Sequence, residues 1–321
     1  MRTKIYDTII IGAGPAALSA SIYASRYFLN HLVIGKTLGG TMANAYKIEN
    51  YPGIDSISGA EMAEKMKAQA QKLNAKIIHE EVKRIKKNQK QIFELTISGQ
   101  SQAPILSHSI ILAIGMQRRE LNIPGEKEFM GHGVSYCSTC DAAFFKDKTV
   151  VVVGGANAAA MAAIHLAQYA AKVYLIYRGP ALKGEPAWNQ RVIDHPKIQT
   201  IFNTNITKIS GASQVEQVSL DKKYQERDKI NCQGVFIEIG LIPSTSLARH
   251  LGVKLTQNGF IDVNPAGQTN VPGVLAAGDI TNGSNNFRQI VTAVSEGAIT
   301  AKSAFDLKAQ RDKSKEKIDY A

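Results

Sequence analysis

Cysteine is scarce: the 321 residues contain three, Cys137, Cys140 and Cys232. That is too few for the disulfide framework of a secreted domain. No run of about 18 uncharged apolar residues occurs, so no membrane-crossing helix is expected. The opening MRTKIYDTII reads as the approach to a strand and not as the apolar core of a signal peptide. A cytoplasmic protein with no membrane partner is the expectation. The seven histidines (His31, His79, His108, His132, His165, His195, His250) are scattered, with no HxxxH among them. A structural zinc site needs four ligands, usually a second CxxC or a close His pair, so no metal is expected. The formal charge of +11, from 38 Lys+Arg against 27 Asp+Glu, suits acidic partners. Much of the excess sits in KRIKKNQK (83–90) and KAQRDKSKEK (308–317), with no interleaved aromatics to stack on bases. Nucleic acid is therefore not expected as a partner.

A hydrophobic content of 44% supplies two cores of ordinary size. The segment YDTIIIGAGPAALSASIYASR reads as a buried strand of β-branched residues, a glycine turn and an amphipathic helix. Gly12, Gly14 and Ala17 occupy the GxGxxG/A positions that give a tight turn, close backbone approach to a pyrophosphate, and close helix–strand packing. About 140 residues later KTVVVVGGANAAAMAAIHLAQYAAKVYLIYRG repeats the pattern, with Gly154, Ala156 and Ala159 at those positions and Asn157 opening the helix. The middle glycine is missing there, and the Ala156 methyl is expected to project where backbone meets phosphate. Near the carboxyl end, Gly278 and Asp279 follow a short apolar strand, and a helix is expected from near Arg288 and Gln289. An aspartate so placed can accept hydrogen bonds from a chain of sugar-like hydroxyls. Both chain ends are thus expected to build one cofactor site around an inserted domain. The fold expected is α/β with two nested Rossmann-like dinucleotide-binding domains, 1–116 with 246–321 and the insert 117–245.

YCSTCDAAFF (136–145) places two cysteines three apart with an aspartate behind them. By residue type alone this is half a zinc site, a staple or a redox pair. Cys232 is expected to be a core or surface thiol without a role.

Over nearly the whole chain the motifs resemble those of the low-molecular-weight thioredoxin reductases: GAGPAA (12–17), GG (39–40), IENYPG (48–53), AIG (113–115), GVSYCSTCD (133–141), GGANAA (154–159), GLIPST (240–245), and AAGD followed by FRQ (276–289). The resemblance implies FAD held by Gly12, Gly14, Pro15, Ala16, Gly40, Thr41, Asn50, Val82, Ala113, Gly115, Gly278, Asp279, Arg288, Gln289 and Ile290. It implies that Cys137 and Cys140 form a disulfide opened by the reduced flavin. Cys140 would face the flavin, and Cys137, as the more exposed sulfur, would attack a thioredoxin-like protein, with Asp141 helping to move the proton. A homodimer is implied too. In related flavoproteins a terminal aromatic can cover the flavin ring, but Tyr320 is expected to lie in a frayed end.

The family usually holds the extra phosphate of NADPH with HRRxxxR. Here the stretch is YRGPALK, in which only Arg178 and Lys183 keep cationic positions, while Tyr177 and Gly179 replace the others. Met161 and Ala162 stand where paired glutamates are usual, and no carboxylate reads an adenosine ribose. Three readings follow for the degraded second site of Gly154, Ala156, Asn157, Arg178 and Lys183. It binds NADPH weakly, it binds another nucleotide, or it is vestigial and a protein such as ferredoxin supplies electrons. Restoring Ala156→Gly and Gly179→Arg together is expected to raise NADPH use. The alternatives are an ordinary NADPH-dependent thioredoxin reductase and a flavin redox sensor that no longer turns over.

Overall fold

A computed structural model describes residues 4–45, 47–99 and 104–319. Tyr320 lies outside the described residues. The chain divides into two compact units, one of Met1–Ala43, Ile48–Gln117 and Pro243–Ala321, the other of Asn44–Lys47 and Arg118–Ile242.

The first unit runs β1 (Ile5–Ile11), α1 (Pro15–Arg26), β2 (His31–Ile34), α2 (Gly59–Lys72), β3 (Ile77–Ile78), β4 (Val82–Lys87), β5 (Phe93–Ile97) and β6 (Ile105–Leu112), and leaves through β7 (Met116–Arg118). The second carries β8 (Val134–Ser135), α3 (Ser138–Asp141), β9 (Thr149–Val153), α4 (Asn157–Ala167), β10 (Lys172–Ile176), α5 (Pro186–Ile193) and β11 (Ile198–Ile201). It continues with β12 (Ile206–Ser210), β13 (Gln217–Tyr224), β14 (Arg227–Asn231) and β15 (Gly234–Ile237), and returns through β16 (Leu241–Pro243). The first unit is completed by α6 (Ser246–His250), β17 (Val274–Ala276) and α7 (Ile290–Asp319).

In the first unit the strand order is β3-β2-β1-β6-β5-β4, with β17 also on β6. β1 is parallel to both neighbours, with Ile10 opposite Val33 on one side and Ile111 on the other. A parallel strand covered on both faces needs apolar residues throughout, which is why Ile9 and Ile10, pointing to opposite faces, are both fully buried. One face packs Ile10, Val33 and Ile111 against alanines of α1 and α7. Small residues let those helices approach closely: a Cβ added at Gly297 would strike the carbonyl oxygen of Ala16. Further along α7, Arg311 Nη2 reaches Asp7 Oδ1 at 2.7 Å.

The second unit repeats this plan with the all-parallel order β11-β10-β9-β15-β8. Val150, Val151 and Val152 of β9 are fully buried, and the alanine-rich α4 covers one face. An antiparallel sheet β12-β13-β14 completes it. Among the described residues no helix is long and apolar enough to cross a membrane, and no cluster of three or more His, Cys, Asp or Glu is arranged to hold a metal ion.

Candidate active site: two glycine turns and a CxxC disulfide

The two glycine turns share one backbone geometry. Gly12 has φ +121° and Gly154 φ +148°, in the left-handed half of conformational space. A Cβ at Gly12 would collide with the Ala113 carbonyl oxygen, and one at Gly154 with that of Glu238. Only glycine lets either strand turn that closely past its neighbour. Gly14 then caps α1 with extended backbone (φ −82°, ψ −176°), and Ala156 caps α4 likewise (φ −112°, ψ −174°). Neither helix has a side-chain cap, so the first N–H groups of each are left for another acceptor.

At the first turn there is space. A Cβ built on Gly14 would meet only Gly39 O, at 3.8 Å, and one on Gly40 would lie 3.6 Å from Gly14 Cα. Pro15 takes the first turn of α1, Ala16 is buried behind it, and exposed Thr41 follows Gly40. At the end of β17, Gly278 (φ +81°) passes close to Ala16, where an added Cβ would come within 2.9 Å of the Ala16 Cβ. Asp279 follows. Burial holds its carboxyl up at about 6, opposed by Arg288 and reinforced by Glu296. A carboxylate so desolvated is costly until donors such as hydroxyls reach it. Arg288 Nε donates to the Asp279 carbonyl at 3.3 Å, and its guanidinium lies 3.8 Å over the Phe260 ring. Where α7 begins at Ile290, Asn50 Nδ2 donates to Gln289 Oε1 at 3.1 Å.

These residues fit FAD: an uncapped helix start behind an open glycine suits the pyrophosphate, and the Asp279 carboxylate suits a hydroxyl chain. Gly115 (φ +68°) has nothing within 4 Å of an added Cβ. Val82 is different. Its side chain is packed into the core with Ile11 and Ile34, which leaves only its backbone to face a ligand. Sequence reasoning missed Glu296, whose carboxylate accepts from Gly278 N (2.8 Å), Thr281 Oγ1 (2.9 Å) and Ser284 Oγ (2.6 Å) and so fixes the loop that presents Asp279. No local motif marks it.

The second turn is filled. The Tyr177 ring lies against Gly155, where an added Cβ would stand 2.5 Å from Cδ1 and Cδ2, and against Gly179, where it would stand 2.5 Å from Cε1. Lys183 N donates to Gly155 O at 2.6 Å, and Asn157 exchanges two hydrogen bonds with Glu185, at 2.6 and 3.0 Å. The loop after β10 is thereby tied to the turn. Ala156 is exposed, and its methyl stands where the first turn has open space. The expected repair by Ala156→Gly and Gly179→Arg meets this packing. Gly179 does not merely lack a cation; it makes room for Tyr177, and an arginine Cβ there would meet that ring.

Cys137 and Cys140 form a disulfide at the start of α3. Cys140 is exposed and Cys137 half-buried, the reverse of the expected order. The reason is local: Cys137 caps the turn, so its Sγ sits under the Cys140 N–H at 3.2 Å and beside the Asn44 amide. Ser135 Oγ donates to Asp141 Oδ2 at 2.6 Å and accepts from Cys137 N at 3.0 Å. Tyr136 OH donates to Glu126 Oε1 at 2.6 Å, and that buried carboxylate also takes Leu121 N and Asn122 N. Burial raises the Tyr136 phenol, with the Glu126 hydrogen bond second. Free Cys232 is buried, which pushes its thiol up to about 12 against the Gly234 N–H and removes it from thiolate chemistry.

Two dinucleotide folds, one inserted in the other, with a CxxC disulfide in the insert, define a flavin-linked disulfide oxidoreductase. Residues 6–297 match the family model described as pyridine nucleotide-disulphide oxidoreductase. The chain is 38% identical over 303 residues to the thioredoxin reductase of Bacillus subtilis, covering 94% of each. It superposes on the thioredoxin reductase structure from T. acidophilum with a TM-score of 0.86 and 38% identity, covering 94% of this chain and 98% of that one. For the Lactococcus lactis thioredoxin reductase the TM-score is 0.88 with 31% identity, covering 95% and 99%. The chain belongs to the pyridine nucleotide-disulphide oxidoreductase family, and within it to the FAD-dependent disulfide oxidoreductases of the thioredoxin-reductase type.

Proposed function

We propose that residues 1–116 and 246–321 bind FAD, that 117–245 form an inserted nucleotide-binding-like domain, and that electrons pass from FAD to Cys137–Cys140 and on to a thioredoxin-like protein. The donor to the flavin is not NADPH, or NADPH serves it weakly. Tyr177, packed between Gly155 and Gly179 beside a methyl-bearing Ala156, carries this reading of the donor. The usual phosphate-binding arginine is absent for a steric reason as well as an electrostatic one. A small acidic electron-transfer protein such as ferredoxin fits the +11 charge. A homodimer is part of the same proposal.

When bound, FAD would supply a two-electron carrier for reduction of the disulfide. The chain's own residues then carry out thiol–disulfide exchange. The Cys137 thiolate attacks the partner's disulfide, forming a mixed disulfide and releasing one partner thiolate, to which Asp141 directs a proton. Cys140 then attacks the Cys137 sulfur, which re-forms the Cys137–Cys140 bond and frees the second partner thiol. Ser135 holds the Asp141 carboxylate through this sequence. Gly12, Gly14, Pro15, Ala16, Gly40, Thr41, Asn50, Ala113, Gly115, Gly278, Asp279, Arg288, Gln289 and Ile290, with the backbone of Val82, are proposed as the FAD contacts.

Arg178 and Lys183, with the uncapped start of α4, support residual NADPH binding as the second reading. Anaerobic stopped-flow reduction of the flavin by NADPH, NADH and reduced ferredoxin separates the two. Slow reduction by both nucleotides is the expected outcome, and rapid reduction by micromolar NADPH overturns the proposal. Disulfide turnover with any donor rules out a sensor without turnover.

A further inference from the structure

Asn44 belongs to the same compact unit as the CxxC turn, although it is 93 residues away in sequence. Its half-buried side-chain amide lies 3.7 Å from Cys137 Sγ by its Oδ1 atom. A disulfide sulfur carries no proton, so in the oxidised protein this approach is a contact and not a hydrogen bond donated by sulfur. The two ends of an amide exchange places by a half-turn of the terminal group, which would present Nδ2–H to the sulfur. The position of the residue is held independently of that turn, because Thr139 Oγ1, inside the CxxC, donates to the Asn44 backbone carbonyl at 2.7 Å. The same sulfur already receives the Cys140 N–H at 3.2 Å.

Opening the Cys137–Cys140 bond takes two electrons, which the flavin supplies. It takes one proton if one sulfur leaves as thiolate and two if both leave as thiols. We infer that Asn44 is a catalytic residue whose side-chain amide donates a hydrogen bond to the Cys137 thiolate once the disulfide opens, so that only Cys140 takes up a proton. A thiolate gains from an N–H donor where a thiol gains little, so the amide favours the charged form. With the Cys140 N–H this gives Cys137 two donors. Among the described residues no hydrogen-bond donor reaches the sulfur of the exposed Cys140. The asymmetry makes Cys137 the nucleophile toward a partner disulfide, despite its lesser exposure. This inference rests on the proposed exchange chemistry of Cys137 and is independent of the electron donor.

The test is the pH dependence of iodoacetamide alkylation of Cys137 in the FAD-loaded Cys140→Ser protein, followed by peptide mass spectrometry, since only the thiolate reacts. No donor or thioredoxin takes part, so failure of the proposed donor leaves this result untouched. Asn44→Ala is expected to raise the alkylation midpoint by about one pH unit, slowing the reaction about tenfold below it. Asn44→Asp, of equal size, is expected to raise it further, because a carboxylate beside the sulfur repels the thiolate. Retained flavin absorbance establishes that each variant is folded, and if Asn44→Ala does not fold, the isosteric Asn44→Asp decides. Midpoints equal to that of the parent in the folded variants overturn the inference.

Discussion

The ring of Tyr177 lies flat against the backbone of Gly155, 22 residues earlier, so closely that a Cβ on the glycine would stand 2.5 Å from both ring Cδ atoms. Gly179 stands in the same relation to the ring's Cε1. Overpacking a site of this kind costs about 1 to 3 kcal/mol. Gly155→Ala is expected to lower the denaturation midpoint of the protein, and adding Tyr177→Ala is expected to restore most of the loss. An undiminished midpoint in Gly155→Ala alone would show that the ring moves freely.

The same packing bears on the proposed weak use of NADPH. Ala156→Gly with Gly179→Arg is expected to leave NADPH-dependent flavin reduction low, because the new arginine meets the Tyr177 ring. Adding Tyr177→His, the family's residue, is expected to raise it. Each recovered charge-assisted hydrogen bond is worth about 1.5 to 3 kcal/mol, or about tenfold or more in affinity. Equal rates of flavin reduction in the double and triple variants would refute the steric account.

Cys137→Ser and Cys140→Ser are each expected to abolish disulfide reduction while the protein stays yellow, since neither sulfur is among the proposed FAD contacts. Asp141→Asn is expected to slow turnover by about 10²- to 10⁴-fold, the usual contribution of a positioned acid. Ser135→Ala removes the hydroxyl that holds Asp141 Oδ2 and should give a smaller loss in the same direction. Assays of thioredoxin reduction at fixed flavin content check all four.

Asp279→Ala is expected to loosen FAD. Removing a desolvated carboxylate proposed to accept ligand hydroxyls would cost about 1.5 to 3 kcal/mol, roughly ten- to a hundredfold in the dissociation constant. Titration of the apoprotein with FAD, read by flavin fluorescence, measures it. An unchanged constant would remove Asp279 from the site.

Glu238 makes a pH prediction. Burial raises its carboxyl to about 7 from an ordinary 4.5, with Arg118 opposing. The folded chain therefore binds a proton in this range that the unfolded chain has lost. The stability this contributes is fully present below about pH 4.5 and is lost as pH rises through about 7. At 1.36 kcal/mol per pH unit it amounts to about 3 kcal/mol. Glu238→Gln is expected to flatten this slope and to be more stable than the parent at pH 8, as measured by urea denaturation across pH 5 to 8. Parallel pH curves for the two proteins would contradict it.

The sequence by itself determined whatever has a local cause. β-branched runs make β1 and β9, Gly12 and Gly154 supply the positive φ at which each strand turns into its helix, and the CxxC spacing brings two sulfurs to one helical turn. These features announced the α/β fold and the family because backbone sterics and side-chain periodicity act within a few residues. What lies beside what was decided only by the tertiary structure. Sheet order places Asn50 against Gln289, 239 residues on, and Glu296 beneath the Asp279 loop, and packing brings Asn44 to Cys137. Tyr177 shows why such facts are not legible in sequence. As a letter it is a missing histidine, and Gly179 is a missing arginine. Only the parallel pairing of β9 with β10, which carries the residue after one strand over the turn after the other, makes the two substitutions a single packed unit.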